Sequence, residues 1–333
     1  LVIGTRTLPD LSLGRLRARG HLLEIDADAL RFTNNEAAEF FKLRGAELSL
    51  EALDRAQDRT EGWVAALWLL SLALQRQGTS SDVVARLSAS NKDVADYLTE
   101  EVLGQQEAPV REFLLRTSVL RHLSVPACQA LLPHVDCAAM LQQLQRNNVF
   151  LIPVEDAPDI YRYHSLFAEF LRRVLSRESP DALVRLHLAA SGWYESQGRP
   201  VPAIDHAIEG GDPPLALDLL RQHAPMLLQQ GRMRLLDRWF TAIPAELLKQ
   251  HPRLQVIAIW ARCMCQGPGE AMDWLEYSGC RESSDAEVQA HVRALLPVLF
   301  AMRDRYTEAH AAGRESIARL PSGNAFIDSV TMN

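Results

Sequence analysis

Histidine, cysteine and arginine are the side chains on which catalysis, metal binding or phosphate recognition would rest in this chain. The ten histidines include His122, His134, His187, His206 and His223, which are scattered and form no HExxH pair and no triad-like spacing. The five cysteines, Cys128, Cys137, Cys263, Cys265 and Cys280, are odd in number. Cys263 and Cys265 form a close pair, but a zinc site would need a second pair, so the thiols read as small buried hydrophobes in a reducing compartment. A phosphate-cradling GxxxxGK[ST] loop does not occur, nor does an acidic residue ending a strand to hold magnesium. With no nucleophile–base pair and no metal cluster, the chain is not expected to be an enzyme.

The elements that carry these residues follow from composition and periodicity. The 333 residues are 47% hydrophobic and 23% charged, with a formal net charge of −7. That length predicts two or three domains with real cores, and the acidic balance argues against a global basic field for nucleic acid. The longest apolar run, residues 63–74, is interrupted by Ser71 and is too short to span a bilayer. A cytoplasmic protein is expected.

Along the chain, residues 1–4 read as a short buried strand broken by Pro9, and residues 22–25 as a second. Thr33, Asn34 and Asn35 before Glu36 form a helix-start signature. Residues 50–59, 63–77, 81–89 and 93–103 read as further helices, making a small bundle. Helices at 110–117, 125–132 and 138–146, two β-prone runs at 149–153 and 160–163, and a helix from Ser165 outline a winged helix. Arg172, Arg173 and Arg177 lie on its last helix, and Arg15, Arg17 and Arg19 near the start of the chain. Glu169 and Glu178 offset the former group, and aromatic–basic interleaving is absent, so no DNA contact is expected here. Beyond about residue 180 the pattern is helical only. Gly198, Gly211 and Asp304 each precede a small residue (Ala203, Ala216, Ala309) by five positions, and Gly267 precedes Ala271 by four. A turn residue followed by a close-packing alanine is what stacked helical hairpins need, and the irregular period predicts a degenerate helical-repeat array.

The motifs LVIGTRTLP at 1–9, LRFTNNE at 30–36, TEGW at 60–63, FLLRTSVL at 113–120, NVFLI at 148–152, YRYHSLFAEFL at 161–171, HLAASGW at 187–193 and AIDHA at 203–207 occur in that order. Together they resemble the middle of the MalT-type activators, the large ATP-dependent branch of the LuxR-type transcriptional regulators, which belong to the STAND class of signalling ATPases. The resemblance covers nearly the whole chain and thins after about residue 265. It implies a modular switch in which a P-loop ATPase core, a helical lid, a winged helix, a helical-repeat sensor and a DNA-binding helix-turn-helix follow one another. The absence of a P-loop and of a basic helix-turn-helix departs from that pattern. The chain is therefore expected to be a central piece of a larger protein.

On this resemblance the fold is mainly α: a helical lid bundle, a winged helix with a small β-hairpin, and a TPR-like array, with one residual strand at the start. The implied domains are 1–20, the last strand and edge of an ATPase core; 21–105, the lid; 106–180, the winged helix; and 181–333, the repeat sensor. Arg6 matches the position that senses the γ-phosphate, a role suited to a forked guanidinium, or is a solvated strand-end arginine. Gly62 and Trp63 match an adenine-contacting turn, or are a helix-start glycine and a core tryptophan. His164 matches a residue that reaches the β-phosphate of ADP, or is a satisfied structural histidine. Trp193, Tyr194, Trp239 and Trp260 are candidates for a sensor surface on the repeats, where most aromatics are expected to pack between helices. ATP or ADP with magnesium, a small-molecule or protein inducer, and self-association are implied for the intact protein, with no membrane. The competing reading is a free-standing helical-repeat adaptor without nucleotide chemistry.

Overall fold

The computed structural model describes residues 3–4, 13–26, 29–77, 92–147 and 150–332. The expected strand at 1–4 and Arg6 fall largely or wholly outside the described residues, as does the expected helix at 81–89. The described chain is predominantly helical, and its described strands form one two-stranded antiparallel sheet. No described helix is long and apolar enough to cross a membrane. Two units divide the chain, residues 1–190 and 191–333.

In the first unit a short helix, α1 (Leu13–Ala18), precedes α2 (Asn34–Leu43), α3 (Leu50–Thr60), α4 (Val64–Gln77) and α5 (Lys92–Tyr97). Thr33 caps α2 as its position predicts: its hydroxyl accepts from the Glu36 backbone N–H, and the Glu36 carboxylate accepts from the Thr33 N–H at 2.9 Å. One turn of π-helix, Leu98–Leu103, continues α5 and buries Leu98, Val102 and Leu103. The core of this bundle contains Ala37, Phe41, Ala56, Leu67 and Leu70.

Residues 22–25 are not a strand. Leu23 and Ile25 are 85% and 63% exposed, and no described strand lies alongside them. The apolar run gave the pattern of a strand, but a strand needs a neighbour for its N–H and C=O groups.

The helices α6 (Ala108–Thr117), α7 (Val125–Leu131) and α8 (Cys137–Arg146) are followed by the hairpin β1 (Leu151–Val154) and β2 (Ala157–Tyr163), then by α9 (Ser165–Glu178). Leu151 pairs with Tyr163 and Ile152 with Arg162, and Asp156 takes a left-handed φ of +60° in the turn. Leu123 adds an isolated bridge to Tyr161. Phe113, Leu114, Leu144, Phe167 and Leu171 fill the core beneath. Three helices, a hairpin and a closing helix make a winged helix. The helix α10 (Pro180–Ser196) follows.

The second unit is built of helices: α11 (Pro200–Glu209), α12 (Pro213–Gln229), α13 (Met233–Ala242), α14 (Ala245–Leu248), α15 (Pro252–Cys265), α16 (Pro268–Ser278), α17 (Ala286–Ala301), α18 (Tyr306–Ile317) and α19 (Ala325–Met332). Proline at the first position of α11, α12, α15 and α16 uses a site where its missing N–H costs nothing. Gly198 and Gly211 hold φ of +64° and +66° at the ends of their helices, and Ala203 and Ala216 are fully buried five residues on. The left-handed residue turns the chain, and the alanine lets the next helix close against its neighbour.

Candidate functional site

Four of the site residues inferred from the sequence lie on the first unit's nucleotide-related motifs, and three of these meet in the structure. The turn between α3 and α4 carries Glu61, Gly62 and Trp63, and His164 precedes α9. Gly62 has φ +71°, and its carbonyl accepts from the Phe32 N–H at 2.9 Å. A Cβ at this position would lie 2.5 Å from the Phe32 carbonyl oxygen, so the backbone approach itself requires glycine. Gln57 donates through Nε2 to that same carbonyl at 2.6 Å.

Trp63 packs into an aromatic cluster, with ring centroids 4.9 Å from Phe150, 5.7 Å from Tyr97 and 5.7 Å from His164. His164 is buried and donates through Nε2 to the Thr60 carbonyl at 2.9 Å. Burial pushes its pKa down, and Arg31 and Arg162 add to this, against the opposing pull of Glu61 and the Thr60 bond. A neutral imidazole with its proton on Nε2 leaves Nδ1 as an acceptor, and that atom is buried without a hydrogen-bond partner among the described residues.

The centre of the arrangement is a residue that sequence reasoning did not single out. Glu61 adopts a left-handed φ of +48° at the end of α3. Its Oε1 accepts from the Ser165 N–H at 2.9 Å, from the Ser165 hydroxyl at 2.8 Å and from Arg162 at 3.0 Å. Its Oε2 accepts from Arg162 at 2.8 Å and lies 3.5 Å from Arg31. Burial works against its ionisation, yet the bonds from Arg162 and Ser165 and the field of His164 outweigh it and hold the carboxyl at about 2. The carboxylate thus caps the N-terminus of α9, whose own preceding residue, His164, makes no side-chain cap. The only local hint was an acidic residue before a glycine at a helix end.

The helix α9 is further tied to α6 of the winged helix and to α3 of the bundle. Arg172 donates to the Ser118 carbonyl at 3.1 Å, and Arg59 approaches Glu169 at 3.5 Å. Tyr163 is buried with its hydroxyl 2.7 Å from Thr117 Oγ1, and Thr117 in turn donates to the Phe113 carbonyl.

Three of the four aromatic residues proposed for a sensor surface lie in the core. Tyr194, Trp239 and Trp260 are buried, at 3%, 1% and 0% exposure, and Trp193 is half-buried. Trp239 donates through Nε1 to Asp205 at 2.7 Å, and Tyr194 stacks on His206 with centroids 5.5 Å apart. Trp260 donates to His291 Nδ1 at 3.1 Å and meets Phe326 edge-on. Large side chains at helical spacing satisfied the need for a core before any need for a groove.

Residues 99–183 match the family model of the MalT winged helix domain. Over 263 residues the chain is 36% identical to the HTH-type transcriptional regulator MalT of Yersinia pestis (strain Pestoides F), covering 78% of this chain and 29% of that protein. The same figures hold for MalT of Yersinia pseudotuberculosis serotype O:3 (strain YPIII). The chain is also 33% identical over 315 residues to the serine/threonine-protein kinase PknK of Mycobacterium tuberculosis (strain CDC 1551 / Oshkosh), covering 92% of this chain and 28% of the kinase. Among solved structures it matches a STAND protein with a tetratricopeptide repeat sensor from Pyrococcus horikoshii, at a TM-score of 0.46 and 14% identity, over 91% of this chain and 42% of that one. The chain spans less than a third of the length of the curated relatives it matches. It carries a MalT-type winged helix domain and is homologous to the MalT-type regulators over most of its own length.

Proposed function

We propose that this homologue of the MalT-type regulators is the regulatory segment of an ATP-dependent transcriptional regulator of the LuxR type. Its task is to couple an inducer or partner bound on the helical array to the nucleotide state of an ATPase core. The proposed segments are those of the sequence reading: a core edge at 1–20, a lid at 21–105, a winged helix at 106–180 and a repeat sensor at 181–333.

The observation that supports this reading best is the Glu61 clamp. One carboxylate from the α3–α4 turn caps α9 of the winged helix and pairs with Arg162 of its hairpin. A regulator that changes conformation needs such a discrete, breakable joint between its modules. His164 and Trp63, inside the same joint, are the residues of this chain proposed to face the nucleotide, with Gly62 holding their turn in place and Arg6 contributing from the core edge. ATP or ADP with magnesium would supply the phosphate charge that the switch reads. Slow hydrolysis belongs to the intact parent as a timing device, and this chain itself performs no chemistry. Self-association and DNA binding are likewise proposed for the intact, activated protein, in a bacterial cytoplasm, with no DNA contact made by this segment.

Calorimetric titration of ATP and ADP into the intact parent, with and without Glu61→Ala, tests the reading. The expected outcome is a change of about tenfold or more in the ATP-to-ADP affinity ratio, the size of a typical coupling energy. An unchanged ratio sinks the coupling role of the clamp. A parent that binds neither nucleotide sinks the switch altogether and leaves an adaptor.

A further inference from the structure

The second unit holds a cavity of about 420 Å³ between α12, α15, α17 and the start of α19. That size lies in the range that takes a small organic molecule, roughly 300–1,000 Å³. Leu228, Ile257 and Phe326 supply apolar lining. Phe326 is held in place edge-on to Trp260, with ring centroids 5.2 Å apart and planes at 89°.

The polar lining is selective. Arg253 is engaged by Asp285 at 2.7 Å and by Glu287 at 2.8 Å, and Arg221 pairs with Asp218. The arginines and carboxylates that line the cavity are Arg221, Arg253, Asp285 and Glu287, so their formal charges cancel. A charged occupant meets no excess of opposite charge among these groups and gives up part of its own hydration on entering.

His291 also lines the cavity and is 3% exposed. Its Nδ1 accepts from the Trp260 indole at 3.1 Å, which places the imidazole proton on Nε2. No hydrogen bond joins that N–H to a described residue, so a donor is left for an occupant. Burial lowers the pKa of this histidine to about 4, so the ring is neutral near pH 7.

We propose that this cavity binds an uncharged small molecule bearing a flat apolar ring and a hydrogen-bond acceptor, the ring against Phe326 and Ile257 and the acceptor on His291 Nε2. The role of this site as the inducer site rests on the reading above, whereas occupancy of the site does not.

The test is a titration of the 333-residue chain with benzamide, benzoate and benzylammonium, followed by the Trp260 indole N–H resonance, assigned with Trp260→Phe. The expected result is a saturable shift with benzamide and affinities about tenfold weaker for both charged isosteres. His291→Ala is expected to weaken benzamide by about tenfold, with the far-UV spectrum unchanged. If that variant does not fold, His291→Gln, which keeps both an acceptor for Trp260 and an N–H for the cavity, is expected to bind benzamide within about threefold of the parent chain. No saturable shift at Trp260, or benzoate binding as tightly as benzamide, overturns the proposal. These outcomes are read on this chain alone, whereas loss of the coupling reading is read on nucleotide affinity in the intact parent, so the two failures are separable.

Discussion

Glu61 caps a helix that begins 104 residues further along the chain: its Oε1 accepts from both the backbone N–H and the hydroxyl of Ser165. The orphan donor of a helix start is usually met by the residue just before it, so this cap joins two modules through one carboxylate. Glu61→Ala leaves the Ser165 N–H and the Arg162 guanidinium without their acceptor. The expected cost is about 2 kcal/mol in the unfolding free energy of the first unit, because the exposed α9 N-terminus can regain water while the half-buried Arg162 loses both of its carboxylate bonds. Urea unfolding followed by circular dichroism measures it. A loss within error of zero would mean that the clamp is ornamental.

Gly62 and Gly198 share a left-handed backbone but not a neighbourhood, and this separates two costs of adding a methyl group. At Gly198 a Cβ meets nothing within 4 Å, so Gly198→Ala is expected to cost only the conformational penalty, about 1–2 kcal/mol. At Gly62 the same Cβ falls 2.5 Å from the Phe32 carbonyl oxygen, and the backbone has to move. Gly62→Ala is expected to lower the melting temperature distinctly more than Gly198→Ala. Equal shifts would show that the contact with Phe32 yields freely.

What the sequence disclosed here was local chemistry. The Thr33–Glu36 capping box, the hairpin before α9 and the glycine-to-alanine spacing at Gly198 and Gly211 are all written within a few residues, and each has its counterpart in the structure. What it hid was non-local. Nothing near Glu61 in the chain announces Arg162 or Ser165, which reach it only after the winged helix has folded. The strand expected at 22–25 failed for the same reason, since its pattern could not reveal that no described neighbour stands beside it. Trp239 and Trp260 were offered for a surface because aromatic side chains serve cores and grooves alike, and burial separates the two only once the helices are stacked.

Tyr163 and Thr117 form a buried hydroxyl chain whose direction can be assigned. Thr117 Oγ1 gives its proton to the Phe113 carbonyl at 2.7 Å, so it accepts from the Tyr163 hydroxyl. Tyr163→Phe removes the donor and leaves Thr117 with one bond still made, so no donor is orphaned. The expected loss is about 1 kcal/mol, with the hairpin intact. A loss several times larger would mean that the phenol anchors more than Thr117.

Buried histidines, His164, His187 and His291 among them, set how the protein responds to acid, because burial pushes the pKa of each down. Burial lowers the pKa of His187 and of His291 to about 4, from an ordinary value of 6.5. The unfolded chain therefore takes up protons at these positions before the folded one does, and stability falls as pH drops from 6.5 towards 4. Glu61 acts in a separate, lower window: its folded pKa of about 2 against 4.5 means that its contribution is complete above 4.5 and disappears as pH falls towards 2. The denaturation midpoint is thus expected to fall between pH 7 and pH 5 while Glu61 stays ionised. His291→Gln removes one of the groups responsible and is expected to flatten that slope. An imidazole resonance of His291 titrating near 6.5 would show instead that water reaches the ring freely, and with it the slope assigned to burial would go.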